Sequence, residues 1–393
     1  MGCKRLIVIG DGIIYKCKSR YYVGGSAQLD FYSCFVGIEE VYIWSRIYHI
    51  SEEETEKYQE MRFQDTSLKF HVLGIYDQKP GYLHYLTTFF ERIRKMKGLF
   101  REPALIMCQP VSVSQWMFWY LFRKKNQIYI GRTIGDPEVI ISMGFPFGKQ
   151  IAFVMKCVSK QYYKKCSLQT WVSGELERKY KVKGVPSVVV HDFLMYEEQM
   201  KGTPCISKDG KLRLLFVGRL SKEKGVQILI HALKKLNNKD VLLTVIGDGK
   251  ERGAIENLID CCGLSETIDF KGYVGWGKEI FSYMAMADCL ILPSYSEGLG
   301  MVLLEAMANG TAVIGSRVGG IPEIIKDGYN GYLFEIGDAD RLASRIKILF
   351  EDRELLAELS MNAIKVAKRN SRDKQLEKFK KAYMKYVYPK IIG

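Results

Sequence analysis

The chain has 393 residues, 47% apolar and 26% charged. That is enough for two ordinary cores, and it excludes disordered, collagen-like and simple coiled-coil classes. Lys and Arg exceed Asp and Glu by 14, which favours anionic partners: nucleic acid, an acidic membrane surface or phosphorylated ligands.

No apolar run reaches the roughly 18 residues that a spanning helix needs. The opening MGCKRLIVIGDG reads as a buried first strand rather than a secretory leader. Gly2 does not start a myristoylation motif, because Leu6 stands where Ser or Thr is required. The ten Cys lack CxxC spacing and the five His are isolated. Reduced thiols, a cytosolic setting and no metal site are expected.

In the N-terminal half, strands are expected at Arg5–Ile9, Val41–Trp44, Lys69–Leu73, Ala104–Cys108 and Thr170–Val172, with a helix over Ser26–Cys34. Met200–Gly210 is polar, carries Gly and Pro, and reads as a linker. Beyond it, apolar runs at Leu212–Val217, Val241–Ile246, Thr267–Val274, Cys289–Leu292, Ala312–Ile314 and Tyr332–Phe334 alternate with amphipathic stretches such as Val226–Leu236 and Arg252–Cys262. Such alternation predicts a parallel, doubly wound sheet with its ligand site at the carboxyl ends of the strands. The expected fold is α/β. Two Rossmann-like domains, 1–200 and 201–370, face each other across a cleft. A basic, Tyr-rich helix at Ser371–Tyr388 lies within a third segment, 371–393.

Chemistry concentrates in the second half. In Ser296–Gly310, SEGLGMVLLEAMANG, a helix is expected to begin near Leu299. The N–H groups of Leu299, Gly300, Met301 and Val302 would then form an anion site at a strand end. Glu297 and Glu305 would repel a phosphate, but they suit ligand hydroxyls; capping and a solvated helix face are the plainer alternatives. In Phe216–Gly225, FVGRLSKEKG, Gly218 ends a strand, and Arg219 and Lys224 are two cations that could grip a diphosphate. FKGYV, ending at Val274, offers strand-edge groups to a base, and Gly319–Glu323, GGIPE, is a tight turn into a helix.

Taken in order, G-R-x4-K-G, G-D-G (Gly247, Asp248, Gly249), F-x-G-x-V, P-S-x-x-E-G-x-G, E-A-M-A-x-G and G-G-x-P-E resemble the GT4 family of retaining nucleotide-sugar glycosyltransferases, which have the GT-B fold. The resemblance covers about residues 212–350 and is thinner over the first 200. It implies that Arg219 and Lys224 stabilise the leaving nucleoside diphosphate in the role a metal plays elsewhere. It also implies that Glu297 contacts the donor sugar, that Glu305 binds the ribose hydroxyls, and that Val274 lies by the base. The amides of Leu299–Val302 would hold pyrophosphate and sugar, with Gly24 and Gly25 beside the cleft. Attack on the donor would come from its front face, retaining configuration. Many relatives carry a His on the N-domain loop, for which Gly135–Asp136–Pro137 is the candidate here. No His stands nearby, so Asp136 is left to orient or deprotonate the acceptor hydroxyl.

The resemblance further implies a nucleotide-sugar donor, expected to be UDP-linked, no cofactor and no metal. The expected acceptor is a lipid-linked glycan in surface polysaccharide assembly, and nucleic acid is not expected as a partner. Asp338 and Asp340 spell D-x-D but read as a helix cap. Gly247, Gly249 and Gly253 miss the dinucleotide spacing by one residue. Trp116–Lys125, and Lys149–Lys165 with Phe153, Tyr162 and Tyr163, suit docking on anionic lipid at the inner face of the cytoplasmic membrane; a core helix with a solvated basic face is the plainer alternative. A soluble sugar-conjugate synthase and a non-catalytic, membrane-docked nucleotide-sugar scaffold are the competing readings.

Overall fold

The structure, a computed structural model, describes residues 3–23, 29–63, 66–76, 94, 97–108, 127–136, 138, 148–200, 202–204 and 206–393. The chain divides into two compact units. One comprises Met1–Val172, Leu176–Val190 and Leu376–Gly393; the other comprises Ser173–Glu175 and His191–Gln375. The polar stretch 200–210 therefore lies inside the second unit.

The strands of the first unit are β1 (Arg5–Cys17), β2 (Arg20–Val23), β3 (Glu40–His49), β4 (Gln59–Glu60), β5 (Lys69–Tyr76), β6 (Leu105–Cys108), β7 (Ile128–Thr133), β8 (Leu168–Trp171) and β9 (Ser187–Val189). Its parallel body runs β5-β3-β1-β6-β7-β8-β9, and β2 and β4 extend it antiparallel. The first strand is longer than its sequence suggests. Residues 10–12 look like a turn, but a register shift between Ile9 and Ile13 absorbs them and β1 continues into a hairpin. Strands β2, β4, β7 and β9 are likewise not foreseen from the sequence. Leu6, Val41, Leu105, Ile130 and Leu168 fill the sheet's core, and Phe31, Phe35, Phe379 and Tyr383 pack against it. The last two come from the helix Arg372–Tyr386, which is followed by a short helix Tyr388–Ile392.

In the second unit, β10 (Leu212–Val217), β11 (Val241–Ile246), β12 (Ile268–Gly272), β13 (Cys289–Leu292), β14 (Ala312–Ser316) and β15 (Tyr332–Phe334) form a wholly parallel sheet. The order is β12-β11-β10-β13-β14-β15, so the winding reverses between β10 and β13. Strand β13 buries all four residues, as an inner parallel strand covered on both faces must. The helix Val226–Leu236 lays Val226, Ile228, Leu229, Ile230, Ala232 and Leu233 on the core. It ends at Asn237, whose left-handed backbone stops the helix after two lysines in its last turn. Strand β12 stops at Gly272 rather than Val274, because Gly272 turns to φ +69. Asp338 caps the helix Ala339–Glu351 by accepting from the Arg341 N–H at 2.8 Å.

Candidate active site

The two loops on either side of the reversal point, after β10 and after β13, carry the central pair. Ligands of open α/β sheets bind at such a point, outside the strands' carboxyl ends. The Lys224 Nζ lies 2.6 Å from the Glu297 Oε1, with both side chains mostly buried. The backbone brings them together. A Cβ at Gly225 would lie 2.1 Å from the Pro293 carbonyl oxygen, so only glycine allows this approach, and its φ of +64 also favours glycine. The Tyr295 N–H donates to the Glu223 carbonyl at 2.8 Å and locks the loops in register.

Neighbouring loops are built in the same way. A Cβ at Gly247 would sit 1.9 Å from the Gly218 carbonyl oxygen, and one at Gly319 would sit 1.8 Å from that of Glu297. The Gly218 N–H is bound to the Ile246 carbonyl, so Gly218 serves the loop framework. The G-D-G and G-G-x-P-E turns thus buttress the loops that bear Gly218 and Glu297. Glu323, in the second of these turns, accepts from the N–H groups of Gly174 and Glu175 at 2.7 Å each.

The helix Met301–Ala308 starts behind Gly300, which has a φ of +87. The first-turn N–H groups of a helix lack intrahelical partners, so those of Met301 and Val302 face outward with the helix's positive end. Leu299 is buried, whereas Met301 is at the surface. Further along this helix Glu305 is buried, with 9% exposure. Its Oε1 accepts from the Trp276 Nε1 at 3.0 Å. Burial pushes the Glu305 carboxyl up to about 7, and the Trp276 hydrogen bond opposes that rise. Trp276 lies on the loop after β12, two residues past the half-buried Val274. Its sequence signal is weak: an aromatic residue between Gly275 and Gly277.

Arg219 is not gathered into the pair. Its side chain is 75% exposed and lies 3.9 Å from Glu223. Gly24 and Gly25 lie outside the described residues. Asp136 belongs to the first unit, after β7, and is fully engaged there. It accepts from Lys179 at 2.7 Å, from the Tyr180 hydroxyl at 2.6 Å and from the Glu138 N–H at 2.9 Å. Lys179 also reaches Glu138 at 2.9 Å, and Lys156 reaches Glu138 at 2.6 Å. This network anchors the β7 loop to the helix Gly174–Tyr180.

The helix Gly148–Tyr163 corrects one expectation. Tyr162 and Tyr163 do not face outward. The Tyr162 hydroxyl donates to the Ile130 carbonyl, and Tyr163 pairs with Thr133 inside the unit. Phe153 and Val154 are exposed, at 68% and 59%. Cys157, Lys160 and Lys164 continue the same outer stripe. The aromatic run 116–125 lies outside the described residues. Among the described residues no helix is long and apolar enough to cross a membrane, and no group of three or more His, Cys, Asp or Glu is placed to hold a metal ion.

Residues 205–366 match the family described as Glycosyl transferases group 1. The chain is 40% identical to an uncharacterized glycosyltransferase of Methanocaldococcus jannaschii, over 43% of this chain and 47% of that one. It is 37% identical to the N-acetyl-alpha-D-glucosaminyl L-malate synthase of Bacillus anthracis, over 40% of each. The chain thus spans less than half the length of these two relatives. The crystal structure of Anabaena HepE in complex with UDP matches 97% of this chain and 99% of its own, with a TM-score of 0.68 at 18% identity, a likeness of fold. On these grounds residues 205–366 are similar to the group 1 glycosyl transferases, and the two Rossmann-like units together have the GT-B fold.

Proposed function

We propose that the protein transfers a sugar from a nucleotide-sugar, a UDP-sugar, to an acceptor hydroxyl with retention of configuration. The observation that carries this reading is the Lys224–Glu297 pair at the reversal point of the second sheet, with Glu305 buried nearby on the adjoining helix. In the free protein each member of the pair neutralises the other. A donor diphosphate would take over Lys224, and the hydroxyls of its sugar would take over Glu297. The first turn of the helix Met301–Ala308 would add amide donors and a positive dipole end to the same phosphates. Arg219, exposed on its loop, would swing onto the diphosphate once it is bound. As the glycosidic bond breaks, negative charge grows on the leaving phosphate, and the two cations stabilise it without an added metal. The acceptor hydroxyl attacks from the same face and gives its proton to the departing phosphate oxygen. The UDP complex of HepE supports the donor class, and the relatives' names support glycosyl transfer.

The acceptor we propose is a lipid-linked glycan at an anionic membrane surface. The outer stripe of the helix Gly148–Tyr163 supports this, since exposed Phe153 and Val154 share it with the cations Lys160 and Lys164 further along. Apolar side chains next to lysines suit the headgroup boundary, and each lysine adds about 1 kcal/mol of attraction.

The test is a thermal-shift screen, without added metal, of UDP, GDP, ADP and their sugar conjugates. A ligand at about 100 times its Kd should add about 2.7 kcal/mol of stability. Product from the donor found this way should then keep its anomeric configuration by NMR. If no nucleotide shifts the transition, the donor assignment fails. For the membrane arm, flotation with phosphatidylglycerol vesicles should weaken in Phe153→Ser; equal flotation of both proteins removes that arm.

A further inference from the structure

We infer that Trp276 is a displaceable plug on the nucleoside end of the donor site. Its indole N–H holds Glu305 while the site is empty, and ribose hydroxyls replace it when the donor binds. This rests on the nucleotide-sugar reading of the site given above.

Four observations converge on it. First, among the described residues Trp276 is the one hydrogen-bond donor to the Glu305 carboxylate, at 3.0 Å. A carboxylate offers about four acceptor positions, and Trp276 fills one of those on Glu305. Second, Glu305 is 9% exposed. With an indole already on its Oε1, two vicinal hydroxyls gain access only when the ring moves. Third, the loop is built for movement. Trp276 is flanked by Gly275 and Gly277, and a Cβ at either would meet nothing within 4 Å. Gly277 also has φ +145, open to glycine and rarely taken by other residues. Fourth, the ring rests edge-on against Phe281 at 5.2 Å and 84°. It is half-buried rather than locked in the core.

The exchange is balanced in hydrogen bonds. One N–H donor leaves the carboxylate and up to two O–H donors arrive, while the indole N–H passes to water. A freed ring, two residues past Val274 on the same loop, would also be available to cover the bound nucleoside. Affinity for the donor is then lowered by the fraction of molecules in which the plug is seated.

The experiment compares the wild type with Trp276→Phe, which keeps a ring against Phe281 and removes the N–H. UDP, GDP and ADP are titrated calorimetrically and by tryptophan emission at pH 7.5. The nucleotide that binds the wild type should bind Trp276→Phe about three- to tenfold more tightly. The emission change seen on binding in the wild type should be missing in the variant. If the nucleotide binds both proteins equally, or the variant more weakly, the plug is refuted and the donor reading stands. If none of the three binds either protein, the donor reading fails and the plug falls with it.

Discussion

Replacing Gly319 by alanine probes how the backbone sets the site. Gly319 has φ +57, in the left-handed region, where a side chain costs roughly 1–2 kcal/mol. The new Cβ would also lie 1.8 Å from the Glu297 carbonyl oxygen, a contact that only backbone movement can relieve. Overpacking of this kind adds about 1–3 kcal/mol. Together they predict a loss of roughly 2–5 kcal/mol, which for a unit of this size lowers Tm by on the order of 10 °C. Gly328→Ala separates the two terms. Gly328 also has a positive φ, +75, but a Cβ there meets nothing within 4 Å. It should carry the conformational cost alone, about 1–2 kcal/mol, and leave nucleotide affinity unchanged. Gly319→Ala should in addition weaken nucleotide binding at least tenfold, because the backbone it displaces carries Glu297. Scanning calorimetry and nucleotide titration of both variants decide the matter. Equal Tm losses, or intact binding in Gly319→Ala, would refute the claim that the G-G-x-P-E turn positions Glu297.

Three further outcomes follow from the described geometry. Lys224→Ala should lower the transfer rate at least a hundredfold while thermal unfolding shows the protein still folded; a rate near that of the wild type removes Lys224 from the leaving-group role. Burial raises the folded pKa of Glu305 to about 7 from the ordinary 4.5, so the folded state holds its proton more tightly than the unfolded state. Its contribution is complete below pH 4.5 and is lost as pH rises to 7. Glu305→Gln, which keeps an acceptor for Trp276, should therefore match the wild type near pH 4.5. At pH 8 it should exceed it by up to about 3 kcal/mol, and a difference in Tm that does not vary between pH 5 and 8 contradicts this. Asp136→Asn should lower Tm by weakening the Lys179 and Tyr180 contacts, yet keep kcat within threefold; a hundredfold fall in kcat with Tm preserved would restore the acceptor-side role.

The second unit was legible from sequence because most of its strands are short, largely apolar runs alternating with amphipathic helices. Cys289–Leu292 and Tyr332–Phe334 are the plainest cases. The glycine motifs were legible as motifs, but their reason was not. That Gly319 touches Glu297, or Gly247 touches Gly218, is a contact between distant backbones that no local pattern encodes. The pairing of Lys224 with Glu297 could be suspected from their places after two strands, but the adjacency of β10 and β13 is what makes it. Trp276 escaped because its partner lies 29 residues on and an aromatic between glycines reads as a loop. The first unit was harder. Its opening strand runs through a Gly-Asp-Gly that mimics a turn, and the tyrosines expected at a membrane are instead core residues. A 3.6-residue period shows which side chains share a face, but not which of two plausible faces is covered.

The helix Arg372–Tyr386 lends Phe379 and Tyr383 to the core of the first unit, joined there by Val387 and Ile391. This arrangement sets an order of events on the ribosome. The second unit's residues end at Gln375, so it can close as soon as that residue has emerged. The first unit's opening strands are made earliest, yet part of their apolar face stays uncovered until residues 376–391 have been made. From its first strands until residue 376 emerges, the first unit is the one left waiting. Chaperone dependence, and aggregation of chains stalled before residue 376, should therefore track the apolar surface around Phe31 and Phe35 rather than that of the second unit.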